Sequence, residues 1–255
     1  MGALIGKHAL VTGGGRGIGA AIAVALSGAG AAVTLAGRNA DRLAQQVRTL
    51  GEQSQSVLMD VSDPEAVSRG FAQAQSTFGP VQILVNSAGV ARSAPFHKTD
   101  SALWQAMLDV NLTGTYLCCK AALPGMLEAG FGRIVNVAST AGLTGYAYVT
   151  AYCAAKHGVI GLTRALALET ARSPVTVNAV CPGYTDTDMV HQAVANIVTR
   201  TGKSEAQARA ALTERNPQQR LIRPEEVANA VLWLCLPGSE AVTGQSISVS
   251  GGEVV

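Results

Sequence analysis

Charged residues make up only 14% of the 255-residue chain and aromatic residues only 4%, where an ordinary globular sequence has about a quarter of its residues charged. The formal net charge is +2, with no basic run behind it. Lacking both a basic stripe and an aromatic stacking surface, the chain is not expected to bind nucleic acid. Disulfide chemistry is also missing. Cys118, Cys119, Cys153, Cys181 and Cys235 are odd in number and form no C-x-x-C pair, and neighbouring Cys118 and Cys119 could hardly bridge each other without strain. They read as reduced core residues of a cytoplasmic protein. His97 and His191 have no metal-ligand spacing, so no metal is expected. The uncharged segment 20–37 holds Ser27 and Thr34 and breaks at Gly28-Ala29-Gly30, which suits helix, turn and strand better than a membrane span. The first ten residues run into a strand-like segment without a leader pattern.

Against these absences, 48% of the residues are hydrophobic, enough for a sizeable core. Short apolar runs recur at 9–11, 32–35, 56–59, 83–85, 134–137, 175–180 and 247–249, and most are separated by segments of helical period. That alternation implies an α/β fold of the doubly wound Rossmann type, with seven parallel strands in one sheet and helices on both faces. The first helix shows an apolar stripe of Ile18, Ala21, Ile22, Ala25 and Leu26 and stops at Gly28 and Gly30. Ser62-Asp63-Pro64-Glu65 has capping-box spacing, followed by an apolar face of Val67, Phe71, Ala74 and Phe78. Long helices are expected at about 103–127, 152–172 and 224–236, with short ones near 189–198 and 204–213. The second short helix is opened by Ser204-x-x-Gln207. No linker or repeat divides the chain, so a single domain, 1–255, is expected.

After the first strand comes Gly13-Gly14-Gly15-Arg16-Gly17-Ile18-Gly19. Glycines between a strand and a helix allow a tight turn and let the backbone approach a pyrophosphate, which then meets the N–H groups and dipole of the helix start. The second strand ends in Gly37-Arg38, where a site built for NAD usually carries an acidic side chain for the ribose hydroxyls. Arg38 and Arg16 could bracket a 2′-phosphate instead. NADP(H) is therefore the preferred cofactor, and NAD(H) remains possible.

Tyr152 and Lys156 lie four residues apart. On a helix that spacing stacks them on one face, so the ammonium can stabilise the ionised phenol. A free tyrosine titrates near pH ~10, and bringing it to neutrality takes roughly 4 kcal/mol of electrostatic help. With the glycine spacing Gly13-x-x-x-Gly17-x-Gly19 and the chain length, this pair resembles the short-chain dehydrogenase/reductase family from about residue 7 to 252. Asn86-Ser87-Ala88-Gly89 is similar to the family's Asn-Asn-Ala-Gly turn, with Ser87 in place of the second asparagine. Asp60-Val61 matches the pair flanking the adenine ring, and Pro182-Gly183-Tyr184-Thr185 matches the segment that meets the nicotinamide.

The resemblance implies hydride transfer between the nicotinamide and a carbonyl carbon. It assigns Tyr152 as proton donor, Ser139 as partner of the same oxygen, Lys156 as modulator of the tyrosine and ligand of the ribose, and Asn111 as holder of a relay water. The segment 184–220 is expected to form a substrate lid, with Ser139, Ala141, Leu143, Tyr146, Tyr148, Tyr152, Tyr184 and Met189 lining the pocket. Over 200–220, Arg200, Lys203, Arg209, Arg215 and Arg220 face only Glu205 and Glu214, leaving that part of the expected lid basic.

Segments 156–163 and 177–183 resemble 3-oxoacyl-thioester reductases and polyketide ketoreductases. The substrate implied is a small-molecule carbonyl or acyl thioester. Arg133 and Arg172 match the subgroup's carrier-docking positions, but Glu128-Ala129-Gly130-Phe131 is not basic. An NAD-linked 3-hydroxyacyl-CoA or secondary alcohol dehydrogenase is the alternative, and a non-catalytic dinucleotide sensor a further one. Family members commonly form tetramers. Small or apolar residues on more than one face of the 103–127 and 152–172 helices, and an edge strand at 247–252, lead us to expect a homotetramer.

Overall fold

The computed structural model describes residues 2–255; residue 1, the first of the expected domain, lies outside the described residues. Seven parallel strands form one sheet: β1 (His8–Thr12), β2 (Ala32–Gly37), β3 (Ser54–Leu58), β4 (Ile83–Asn86), β5 (Gly132–Val137), β6 (Val175–Pro182) and β7 (Ser246–Val249). Their spatial order is β3-β2-β1-β4-β5-β6-β7, so the winding reverses between β1 and β4. A crevice opens at such a reversal beyond the carboxyl ends of the strands. Strand residues alternate between two cores, as a pleat of period 2 requires. Ala9, Val11, Ile83, Val85 and Val135 face α1 (Gly17–Gly28), α2 (Ala40–Leu50) and α9 (Pro224–Cys235). Leu10, Leu84 and Ile134 face α3 (Pro64–Phe78), α5 (Gly114–Glu128) and α6 (Thr150–Thr170). Between α6 and α9 lie α7 (Asp188–Thr201) and α8 (Glu205–Thr213).

The expected architecture is present, with local differences. The 103–127 helix is two helices, α4 (Ser101–Leu108) and α5, joined by a π turn at Asp109–Thr113. Asp100 accepts from the Leu103 N–H at 2.7 Å and so starts α4 two residues early. At α3 the cap is Asp63, whose carboxylate accepts from the Glu65 and Ala66 N–H groups at 2.9 and 3.2 Å. Ser62 instead donates to Asp60 at 2.6 Å, so the expected capping box does not form. The box at Ser204 and Gln207 does form. Strand β3 sits one to two residues before its expected place, at Ser54–Leu58. Helix α2 was not anticipated; Asn39 caps it, and it buries only Leu43.

Candidate functional site

Thr12, at the end of β1, accepts from the Ser87 and Ala88 N–H groups, both at 3.0 Å, and so ties the glycine loop to the turn after β4. This contact is close enough to require bare backbone. Gly13 has φ +67°, and a Cβ there would lie 2.9 Å from the Ala88 Cα; a Cβ on Gly19 would press on the Gly13 carbonyl, 2.8 Å from its carbon. Gly15, Gly17 and Ile18 complete the loop and the first turn of α1, with Ile18 leaning on the core. No side chain caps that helix and no acid stands in its first turn, so its leading N–H groups are left for an anion. A dinucleotide pyrophosphate fits this cradle.

The flanking arginines are paired with carboxylates. Arg16 reaches Asp188 at 2.9 Å, and Arg38 reaches Asp60 at 3.5 Å. Burial raises the Asp60 carboxyl, but the Ser62 hydroxyl and N–H and the Arg38 guanidinium outweigh it, leaving its pKa below the ordinary value. Val61 is buried beside it. Asn86 donates to Asn136 at 2.9 Å, which continues to Thr163 at 2.9 Å, a polar chain beneath the crevice. Ala88 and Gly89 lead into it, and a Cβ on Gly89 would stand 3.0 Å from the Asn111 Oδ1 and 3.8 Å from the Lys156 Nζ. At the far side, Pro182 ends β6, Gly183 bonds to Val249, and buried Thr185 donates to Gly183 at 3.0 Å.

Asn111 occupies the π turn and is fully buried. Its side chain accepts from the Val90 N–H at 3.2 Å and donates to the Val90 and Met107 carbonyls at 2.9 Å each. The turn thus holds the 89–90 backbone in place. Ser139 caps the turn Thr140–Gly142, accepting from the Ala141 N–H at 3.1 Å. Tyr152 stands near it, in the first turn of α6. Burial pushes the phenol up to about 12, and the nearby Ser139 hydroxyl only partly opposes this.

Lys156 has its Nζ 5.7 Å from the Tyr152 ring centroid but donates to the Val137 carbonyl at 2.8 Å, and burial lowers its pKa to about 8. The expected acidification of the phenol is therefore not produced by the protein alone. Desolvation acts on both groups, and the ammonium is aimed at a carbonyl.

The expected substrate residues divide. Ala141 is buried, and Leu143 packs against the core of Val159 and Ile160. Tyr184 packs edge-on to Tyr146, with centroids 6.3 Å apart. Tyr146 donates to Glu253 at 2.6 Å, bonds Thr140 at 2.9 Å and carries the Arg215 guanidinium over its ring. Tyr146, Arg215 and Glu253 line an open cavity of about 450 Å³ with Thr144, Val254 and Val255. Tyr148, at φ +67°, is 65% exposed, and Met189 is also exposed.

The 184–220 segment carries fewer unpaired basic groups than its sequence suggests. Arg209 pairs with Glu205, and Arg220 forms a two-pronged bridge to Glu226 on α9, outside that segment. Arg133 is 2% exposed and serves the Gly132 and Pro174 carbonyls and Glu240, so its guanidinium is not presented at the surface. His157 turns back to the Cys153 carbonyl, away from the site. Among the described residues no His, Cys, Asp and Glu cluster could hold a metal, and no helix is long and apolar enough to cross a membrane. Arg42, Asp188 and Glu253 escaped the sequence reading. None sits in a motif, and only the fold brings each to its partner.

Residues 7–197 match the model of the short chain dehydrogenase family. The chain is 41% identical over 249 residues to a cis-4-hydroxycyclohexanecarboxylate dehydrogenase of Sinomonas cyclohexanicum, covering 96% of each. It is 40% identical over 250 residues to an acetoacetyl-CoA reductase of Rhizobium meliloti, covering 97% of this chain and 98% of the relative. A variant of actinorhodin polyketide ketoreductase solved with NADPH superposes with a TM-score of 0.93 at 38% identity, covering 97% of each chain.

Proposed function

The chain belongs to the short-chain dehydrogenase/reductase family, and from that membership we propose an NADP(H)-linked reductase of 3-oxoacyl thioesters or related ketones. It is an oxidoreductase of the CH–OH/ketone class. The observation that carries the reading is the convergence of Ser139, Tyr152, Lys156 and Asn111 at the strand ends beside the uncapped start of α1.

The glycine loop and the N–H groups of α1 would hold the pyrophosphate, and Arg16 and Arg38 the 2′-phosphate. Asp60, Val61, Asn86, Ala88 and Gly89 would border the adenosine half; Pro182, Gly183 and Thr185 the nicotinamide; Tyr152 and Lys156 its ribose. The nicotinamide, when held there, would supply the hydride. Ser139 holds the substrate oxygen by its hydroxyl and Tyr152 gives that oxygen its proton. A phenol pushed up to about 12 is fully protonated at neutral pH, which suits a donor in the reductive direction. Lys156 sits where its charge would steady the phenolate once the proton has left, and Asn111 keeps the floor of the crevice in register. Tyr146, Tyr184 and the exposed Met189 and Tyr148 would border the substrate.

A relative named acetoacetyl-CoA reductase supports the thioester, and the NADPH-bound ketoreductase supports the cofactor. We read the chain as one domain. Trp104, Tyr116, Leu127 and Leu168, exposed on α4 to α6, support a homotetramer, and the four buried thiols of Cys118, Cys119, Cys181 and Cys235 suit a reducing cytoplasm. Titration with both reduced cofactors, followed by assay with acetoacetyl-CoA, tests the proposal. Tighter NADPH binding and turnover of the thioester are expected; tighter NADH binding or an inert thioester would overturn it.

A further inference from the structure

Asp188, the first residue of α7, receives Arg16 at 2.9 Å and Arg42 at 3.2 Å on the same oxygen, Oδ2. The two arginines come from different elements. Arg16 precedes α1 in the glycine loop, and Arg42 is the third residue of α2, packed where a Cβ on Gly15 would touch it at 3.4 Å. Thr187 leans on the same loop, 3.1 Å from where a Gly17 Cβ would stand. All three ionic side chains are about half exposed, at 54%, 46% and 50% for Arg16, Arg42 and Asp188. They are therefore held together by charge more than by burial.

Two guanidiniums converging on one anionic oxygen make a seat for an anion. Here a carboxylate of the lid fills it, and the Arg16 and Arg42 bonds and charges hold that carboxyl below the usual range. A 2′-phosphate brings about −1.5 to −2 charges and three acceptor oxygens to the same donors, against one charge from Asp188. NAD(H) brings none. Helices α7 and α8 have a small core of their own, Val190, Val194 and Ala208, so the lid can shift as a unit without dissolving.

Resting on the NADP(H) reading above, we propose that Arg42 is a third arginine of the phosphate site and that Asp188 is its displaceable internal counter-ion. NADP(H), and not NAD(H), then has to lift the first turn of α7 from the glycine loop. Coupling of this kind is reciprocal: whatever holds Asp188 in place weakens the phosphate, and the phosphate frees the lid. An exposed ion pair is worth up to about 1 kcal/mol, roughly a fivefold change in an equilibrium constant.

The test is titration of NADPH and NADH into the full chain at low ionic strength, where such pairs are least screened, for wild type, Asp188→Asn and Arg42→Gln. Asp188→Asn should tighten NADPH by about fivefold and leave NADH unchanged, and Arg42→Gln should weaken NADPH by about fivefold while sparing NADH. Without cofactor, amide exchange across 188–201 should be faster in Asp188→Asn than in wild type. If Asp188→Asn leaves NADPH unchanged, or weakens both cofactors alike, or if Arg42→Gln weakens both alike, the latch is wrong. A wild type that prefers NADH sinks the cofactor reading and the latch with it. A wild type that prefers NADPH, with unmoved variants, sinks the latch alone.

Discussion

Replacing Gly19 by alanine should damage the protein at a position where alanine ordinarily helps. Gly19 is the third residue of α1 and is buried. In an open helix the change would stabilise by about 1 kcal/mol through propensity alone. Here the new methyl would lie 2.8 Å from the Gly13 carbonyl carbon and 3.2 Å from the Gly14 Cα, where ordinary contact begins at 3.4 Å. The obstruction is backbone, and Gly13 is itself wedged against Ala88, so relief requires the loop to move by more than half an ångström. Overpacking of this kind costs about 1–3 kcal/mol. Set against the propensity gain, the net loss of stability is roughly 0–2 kcal/mol, and the displaced loop should weaken NADPH by about tenfold, or 1.4 kcal/mol. Gly28→Ala is the control. It lies in the same helix with nothing within 4 Å of its Cβ, so it should be neutral or stabilising by up to about 1 kcal/mol. Urea denaturation and NADPH titration read both variants. Equal stability and equal NADPH affinity for the two would refute the close-packed loop.

Two further consequences concern stability. His8 donates from Nδ1 to the Gly79 carbonyl at 2.8 Å, so its Nε2 must accept from the Thr34 hydroxyl, also at 2.8 Å; burial lowers its pKa below 6.5. The unfolded chain therefore takes up a proton before the native one, and stability should be full above pH 6.5 and fall below it. Urea midpoints at several pH values should show this slope in wild type and a shallower one in His8→Asn. Asn111→Ala strands the buried Val90 and Met107 groups that the side chain now pairs. It should cost about 1–3 kcal/mol of folding free energy besides activity, whereas a residue that served only to hold water would leave the urea midpoint unchanged.

The alternation of apolar residues between two cores made the strands legible, because period 2 survives without knowledge of the partners. The candidate site was legible where one short stretch carries it, as in the glycine loop and in Tyr152 and Lys156. Helix α2 was missed because a single buried side chain, Leu43, writes too thin a pattern. Glu253 meets Tyr146 across 107 residues, and Asp188 meets Arg16 across 172, and no local spacing announces such pairs. The direction of the Tyr152 and Lys156 shifts was equally hidden, since desolvation is set by tertiary packing and not by the four-residue interval.

The central claim is that Tyr152 donates the proton that completes carbonyl reduction. Its most direct test is the turnover of acetoacetyl-CoA with NADPH by Tyr152→Phe, alongside the variant's affinity for NADPH. Loss of general-acid assistance should lower kcat by about 10²–10⁴-fold, with NADPH still bound at near wild-type affinity. A phenylalanine variant that reduces the thioester at the wild-type rate would contradict it.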